Sequence, residues 1–183
     1  MKRNKRQKEK VILAFDPSMT AFGWVVFSIG GECLDAGCIK TESGGKKSRI
    51  RKGDDRCRRI HEMNMELLRL CKTYQVLLIV SEQPHGSQSA IAATMLGITL
   101  GMIQTLADVL NIPLEWYAEG ECKKQVLGKR TATKLEMIKA IEKLYRIPFQ
   151  GVQYKDEAMA DATAVYHFAM NNSSTAQFLK QLN

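Results

Sequence analysis

Acidic side chains stand where strands or helices begin or end in otherwise apolar sequence. Asp16 ends the apolar run VILAF, and Glu82 lies just beyond the run VLLIV. Glu157 and Asp161 are four residues apart in the last helical segment, so they share one face of a helix. Carboxylates that meet in one place repel one another unless cations neutralise them. The set therefore predicts a site for two hard divalent cations, Mg²⁺ or Mn²⁺, which can activate water against a phosphodiester.

Each acid taken alone has a simpler explanation, because a carboxylate at a helix end can cap the helix and any carboxylate can pair with a lysine. The ordered set, with two strand-end acids followed by helix-borne acids near the C-terminus, is more specific than any member. If the first and fourth strands are neighbours, Asp16 and Glu82 emerge side by side. The last helix can then bring Asp161 to the same edge.

The elements that position these acids follow from apolar periodicity, which predicts an α/β layout with a mixed sheet. A hairpin turn is expected at Gly30–Gly31, and Thr133 with Glu136 predicts a capping box at a helix start. A helix capped by Asp54 or Asp55 is expected before the fourth strand. The expected strands cover 11–15, 22–29, 32–41, 76–80 and 114–118, and the later helices cover about 89–110, 133–145 and 156–170.

Length and composition indicate one domain, since 183 residues can bury a single core. A basic flexible tail is expected over 1–10, the folded domain over 11–172 and a C-terminal tail over 173–183. No apolar run reaches the roughly 18 residues of a membrane span, and the first ten residues lack the apolar segment of a secretory signal. The five cysteines form an odd set without a CxxC pair, which favours reduced thiols and a cytoplasmic protein.

The net charge of +8 is concentrated in two segments. Residues 1–10 carry +5 and residues 46–59 carry +6, so the remainder carries −3. Either run alone is best explained as a solvated surface, but both together on a chain with this acidic set favour a nucleic-acid partner. Arg49, Arg51 and Lys52 are the expected DNA contacts in the second run.

Lys134 directly follows the capping Thr133. A cation there opposes the helix dipole, so the placement is best explained by a phosphate bound at that helix start. The alternative is an exposed lysine tolerated at a small cost in stability.

Four segments, in order, resemble the RuvC-like Holliday-junction resolvases, and the similarity spans about residues 11–170. ILAFDPSMTAFGWVVF is similar to their opening strand and hairpin, and SEQPHGSQSA with AATMLGITLGMI to their second acidic motif and adjoining helix. The stretch from Lys123 through GKRTATK resembles their basic segment, and DEAMADATAVYHFA their final acidic helix.

The resemblance implies an RNase H-like fold, with a central mixed five-stranded sheet flanked by helices. It also implies a homodimer that uses Mg²⁺ to make paired nicks across a four-way DNA junction. By matching position, Asp16, Glu82 and Asp161 are the implied metal ligands, and Lys123 is an implied phosphate contact. His85 stands where the family often has an aromatic side chain that stacks near the junction centre, although a loop histidine can also be merely exposed.

The chain departs from the family at two site positions. Many members have Gly after Asp-Pro, where this chain has Ser18. The usual fourth ligand stands three residues before the last Asp, and that position is Ala158, which cannot bind metal. Glu157 is the expected substitute because it shares a helix face with Asp161, and Asp156 is the expected N-cap. The two basic segments lie outside the resemblance.

Other readings of the same residues stay open. A related RNase H-like nuclease could act on flaps, branched DNA or RNA–DNA hybrids, and a non-catalytic DNA-binding relative could keep the fold. A sugar-kinase or actin-like ATPase needs two such domains and Gly-rich phosphate loops, which this chain lacks. Gly97 and Gly101, one helical turn apart, permit close approach of a core element or a second subunit. The residues fix neither a cleavage sequence nor a partner helicase, and the host can be a bacterium or a phage-infected cell.

Overall fold

A five-stranded sheet organises the chain in a computed structural model that describes residues 8–45, 48–86 and 89–182. Its strands are β1 (Lys10–Asp16), β2 (Ala21–Ser28), β3 (Cys33–Lys40), β4 (Gln75–Gln83) and β5 (Leu114–Ala118). The helices are α1 (Lys52–Thr73), α2 (Ala90–Leu110), α3 (Glu119–Leu127), α4 (Lys134–Leu144), α5 (Gln153–Asn172) and α6 (Ser174–Gln181).

The strand order is β3-β2-β1-β4-β5, with β1 at the centre. The β1–β2 and β2–β3 pairs are antiparallel, whereas β1–β4 and β4–β5 are parallel. The expected mixed five-stranded sheet is therefore confirmed, as is the neighbouring position of the first and fourth strands. Parallel pairs need crossover connections, and α1 and α2 supply helices for them.

Apolar side chains leave the central strands alternately to two cores, as the two-residue period of a strand requires. Leu13 and Phe15 face a core that α1 and α2 complete, through residues such as Leu67 and Ile103. Ile12 and Ala14 face a second core that helices α3 to α6 complete. Its helical members include Cys122, Ile141, Val165, Tyr166 and Ala176. The sheet is thus buried on both faces, which accounts for the unbroken apolar runs in β1 and β4.

Helix α5 meets the sheet backbone directly at Gly23 in β2. A Cβ atom built at Gly23 would lie 2.1 Å from the carbonyl oxygen of Ala158, far inside van der Waals contact. Gly23 is also the residue that pairs with Asp16 across β1 and β2. The missing side chain therefore lets α5 reach the strand that carries Asp16.

Two expected caps are wrong. Helix α1 begins at Lys52, so Asp54 and Asp55 lie in its first turn, and its N-cap is Arg51. Asp55 instead accepts a hydrogen bond from the Gly44 amide at 3.2 Å. Helix α5 begins earlier than expected, so Asp156 lies inside its first turns and accepts the Gln150 amide at 2.8 Å. The capping box at Thr133 and Glu136 is confirmed.

Both basic segments are described only in part, whereas the C-terminal segment is described as far as Leu182. Residues 1–7 of the expected basic tail lie outside the described residues, as do Lys46 and Lys47 of the second basic segment. The segment expected as a C-terminal tail contains helix α6, whose Ala176 and Leu179 are buried in the second core.

Helix α2 corrects the expectation that no apolar segment reaches the length of a membrane span. It is long and apolar enough to cross a membrane, by length and composition only. Only 28% of its most apolar stretch is buried within the chain. Ile91 and Val109 are 67% and 76% exposed, so α2 presents an uncovered apolar surface.

Replacing Gly23 by Ala should destabilise the fold, because the new methyl group must push away the backbone of α5. We expect the free energy of unfolding, measured by urea denaturation, to fall by about 1–3 kcal/mol, the usual cost of overpacking. Gly53→Ala is the matched control, since nothing lies within 4 Å of its Cβ position on α1. A loss at Gly23 no larger than at Gly53 would contradict the close approach.

A candidate active site at the carboxyl end of the sheet

Asp16 and Glu82 lie beside each other because their strands are parallel neighbours. Asp16 is the last residue of β1, and Glu82 is the last but one of β4. Phe15 pairs with Ser81, so the residues that follow each of them come to the same edge. Alternation along the strands turns both carboxylates toward the face that α5 covers. The structure thus brings together the two strand-end acids.

Helix α5 adds Asp161 to this pair, and burial makes all three carboxylates hard to ionise. Burial, followed by repulsion from Glu82 and Asp161, raises the pKa of Asp16 well above its usual range. Burial is also the main cause that raises the pKa of Glu82 to about 8 and that of Asp161 to about 6. Such perturbed carboxyl groups in one place are typical of functional sites.

Glu157 lies at the border of this cluster and is bound by polar partners. Lys134 Nζ donates to Glu157 Oε2 at 2.6 Å, and Gln153 Nε2 donates to Oε1 at 2.9 Å. Burial acts to raise the pKa of Glu157, but these two hydrogen bonds and the charge of Lys134 outweigh it, so the pKa is lowered. Glu157 is therefore a stable anion that orients a lysine in this structure.

The two lysines expected to bind phosphate are both near the acids. Lys134 is the first residue of α4, and its side chain is 70% exposed despite the bond to Glu157. Lys123 lies on α3, where it pairs with Glu119 one turn earlier. The charge of Lys123 partly opposes the rise in the pKa of Glu82 and Asp161, and that of Lys134 partly opposes the rise in the pKa of Asp16 and Asp161. These ammonium groups act as counterions inside the acidic cluster.

Glu119 is an acid of this cluster that sequence reasoning missed. It follows β5 directly and opens α3. Repulsion from Glu119 contributes to the raised pKa of Asp16, Glu82 and Asp161 alike. The signal was present, since Glu119 follows the strand LEWYA much as Asp16 closes VILAF.

The remaining expected DNA contacts lie outside the acidic cluster. His85 is exposed in the loop after β4. Arg49, Arg51 and Lys52 are exposed before and at the start of α1, where Arg51 pairs with Asp54 at 2.7 Å. Lys52 also lines a cavity of about 470 Å³ between this segment and the start of α2.

A buried arginine connects the basic segment to the end of the sheet that carries the acidic cluster. The segment follows β3, whose last residue, Lys40, pairs with Ala21 at the start of β2. Arg59 connects the residues just before β2 to those just after β3, because it donates to the Met19 carbonyl at 3.0 Å and to the Thr41 hydroxyl at 2.8 Å. Met19 belongs to the turn that directly follows Asp16 and Pro17. The basic segment is therefore fixed at the same end of the sheet as the carboxylates.

The donor chemistry of the cluster suits a hard cation, since carboxylate oxygens are the ligands such ions prefer. Within the three described ranges, however, no three side chains of Asp, Glu, His or Cys lie close enough together to coordinate a metal ion as they stand. Binding would have to draw the carboxylates together against their mutual repulsion, which a divalent charge can offset.

The mixed sheet, the helices on both of its faces and the carboxylates at its edge define a protein of the RNase H-like fold. A family model described as crossover junction endodeoxyribonuclease RuvC matches residues 12–167. The chain belongs to that family.

Individual relatives agree with the family match over nearly the whole chain. The crossover junction endodeoxyribonuclease RuvC of Shewanella oneidensis is 27% identical over 169 residues, which cover 91% of each chain. Thermus thermophilus RuvC, solved in complex with a Holliday-junction substrate, superposes with a TM-score of 0.63 at 19% identity, over 86% of this chain and 91% of that one. A yeast mitochondrial Holliday-junction resolvase gives a TM-score of 0.62 at 14% identity, over 98% and 87%. The two structures confirm the RNase H-like fold.

The metal-free protein should lose stability as the pH rises from about 4.5 to about 8. Because the pKa of Glu82 is raised from 4.5 to about 8, the folded chain binds more protons than the unfolded chain in this window, and stability falls with pH. Glu82→Gln removes the ionisation and should raise the melting temperature in EDTA at pH 8, with little effect near pH 4.5.

The control is Glu142→Gln, which changes an exposed glutamate of α4. It should follow the wild-type pH profile of melting temperature. If Glu82→Gln melts at or below the wild-type temperature at pH 8, Glu82 is not held in an unfavourable ionised state.

Proposed function

We propose that this chain is a structure-selective endonuclease that resolves four-way DNA junctions by hydrolysing phosphodiester bonds. The observation that carries the proposal is the convergence of Asp16, Glu82 and Asp161, all with raised pKa, in a chain of the RuvC family. The Thermus thermophilus relative, solved with a Holliday-junction substrate, supports the choice of DNA shape.

Asp16, Glu82 and Asp161 would hold the catalytic cations, Mg²⁺ or Mn²⁺, with two ions at each site. Bound divalent cations activate water and stabilise the leaving oxygen of a phosphodiester. The protein's own contribution is to hold three carboxylates at one sheet edge, on rigid strands and a helix. Lys134 and Lys123 are placed to contact phosphate oxygens next to these carboxylates, which is the usual role of lysine on DNA.

Glu157 is proposed as a further ligand on the helix side, made available by DNA. Its Oε2 is bonded to Lys134 at 2.6 Å, so Lys134 has to leave before this oxygen can bind a cation. A phosphate at the start of α4 offers Lys134 a second anion, because helix N-termini favour anions. Arrival of the DNA backbone would then free Glu157 next to the scissile bond.

The basic segments would hold the arms of the junction. Arg49, Arg51 and Lys52 are exposed at the carboxyl end of the sheet, and the tail over 1–10 adds further positive charge. Such contacts to phosphates give affinity that falls with salt and does not depend on base sequence. His85, exposed in the loop three residues after Glu82, is proposed to stack on a base near the junction centre.

Asp16→Asn, Glu82→Gln and Asp161→Asn should each abolish Mg²⁺-dependent cutting of a mobile four-way junction. Each should leave junction binding intact, because the carboxylates hold metal whereas lysine and arginine hold phosphates. Cleavage is measured on junction, flap, duplex and RNA–DNA hybrid substrates, and binding by gel shift in Ca²⁺. Glu142→Gln is the control and should cut at the wild-type rate.

Two outcomes would contradict this proposal. A site variant that cuts at a near wild-type rate excludes that residue as a ligand. Wild-type protein that cuts flaps or hybrids faster than junctions would assign the same site to a different substrate.

The enzyme is proposed to act as a homodimer through α2. This helix is apolar along its length and mostly uncovered, and Gly97 and Gly101 have open space around their Cβ positions. Large exposed apolar surfaces mark interaction sites, and small residues let a second backbone approach closely. Two sites related by symmetry would make the paired nicks that resolution requires.

Gly97→Leu should convert the dimer into a folded monomer. Beyond the adjoining turns of α2, no described atom of the chain lies within 4 Å of the Cβ position, so the new side chain should block a partner without disturbing the protomer. Sedimentation measures the association state and far-ultraviolet circular dichroism the fold. Gly53→Leu, at a helical glycine with equally open space on α1, should stay dimeric. A wild-type monomer on junction DNA, or an undisturbed Gly97→Leu dimer, would exclude this interface.

A further inference from the structure

Three neighbouring parallel strands each deliver an acid to the same sheet edge. Asp16 closes β1, Glu82 stands near the end of β4, and Glu119 follows β5 directly. Tyr117 pairs with Glu82, and Ala118 pairs with Gln83. Glu119 therefore comes off the sheet at the level of the β4 end, on the side of Glu82 that is opposite to Asp16.

The charges around the site also place Glu119 among the catalytic carboxylates. Burial is the main cause of the raised pKa of Glu82, and repulsion from Glu119 and Asp161 adds to it. Repulsion from Glu119 likewise adds to the effect of burial on the pKa of Asp161. Glu119 therefore lies near enough to both acids to repel them, and its ion pair with Lys123 fixes it there.

Ala158 marks the side of the cluster that lacks a carboxylate. Ala158 lies against Gly23, the residue that pairs with Asp16, so it is on the β2 side of the cluster. Its methyl group offers no oxygen to a cation, and it is 4% exposed. The β2 side of the cluster thus lacks a carboxylate at this position, and the β5 side has one in Glu119.

We propose that Glu119 is a cation ligand of this site, entering from the end of β5 beside Glu82, so that the carboxylate set extends toward β5. The inference rests on the proposed nuclease function and adds a ligand to its site. Lys123 Nζ donates a hydrogen bond to Oε1 of Glu119. A divalent cation between Glu82, Asp161 and Glu119 would take over the charge that Lys123 supplies to these acids.

The test is a calorimetric titration of the full chain with Mn²⁺ alone, so that the readout does not depend on catalysis. Glu119→Gln should weaken Mn²⁺ binding by at least about tenfold, a loss typical of residues that support a metal site. It should also reduce the rise in melting temperature that Mn²⁺ produces. Glu121→Gln, two residues later on α3 and paired with Arg130, is the control and should bind Mn²⁺ as the wild type does.

A double-mutant comparison separates a ligand from a residue that only orients Lys123. In a Lys123→Met background the pair is already broken, so a merely orienting Glu119 would have nothing left to lose. If Glu119→Gln still weakens Mn²⁺ binding in that background, Glu119 acts on the cation directly. If it has no further effect there, the proposal is overturned and Glu119 is a positioning residue.

Two further variants separate failure of this inference from failure of the proposed function. If Asp16→Asn binds Mn²⁺ as the wild type does, the proposed catalytic metal site is itself contradicted. Asp16→Asn that loses Mn²⁺ binding, beside an unaffected Glu119→Gln, would overturn only the role of Glu119. Weakened binding in Glu157→Gln with none in Glu119→Gln would assign the additional ligand to the helix side and likewise overturn it. Because Glu119 has a side chain 41% exposed, its variant should fold.

Discussion

The contact between the backbone of α5 and Gly23 is the constraint on which the rest of the molecule depends. It sets the height of the helix above the sheet, and therefore the distance of Asp161 from the two strand-borne carboxylates. The same approach lets Tyr166 stack on Phe27 with ring centroids 3.7 Å apart, farther along the helix. A run of small residues on α5, including Ala160, Ala162 and Ala164, continues the close packing. One missing side chain in β2 thus fixes both a core and the position of Asp161 in the proposed catalytic site.

The site is organised around charges that the fold itself disfavours. Burial and mutual repulsion hold Asp16, Glu82 and Asp161 away from their ordinary ionisation. Lys134 and Lys123, which pair with Glu157 and Glu119, supply the positive charge beside them. A chain selected only for stability would place amides or apolar groups there. Packing of the two cores on the faces of the sheet offsets this repulsion, because a close-packed strand end cannot move aside to relieve it.

Much of this arrangement can be predicted from sequence, because the responsible signals are local. Apolar runs, together with the turn at Gly30–Gly31, located all five strands, and Thr133 with Glu136 marked the start of α4. The missed features depend on tertiary contacts. Helix α3 is nine residues long and mostly polar, so it carries little periodic signal. The start of α5 lies before its first apolar residues, and this misplaced Asp156. The significance of Glu119 needed the knowledge that β5 lies next to β4, which single-strand patterns do not contain.

The proposed dimer through α2 would also link the folding equilibrium to the amount of protein in the cell. If a second copy covers that surface, its burial contributes to stability only when two chains meet, so mass action ties the melting temperature to protein concentration. Newly synthesised chains would then pass through a period in which an apolar helix faces water without a partner. At low expression, this exposure rather than the chemistry at the sheet edge would set how much enzyme survives to meet its substrate.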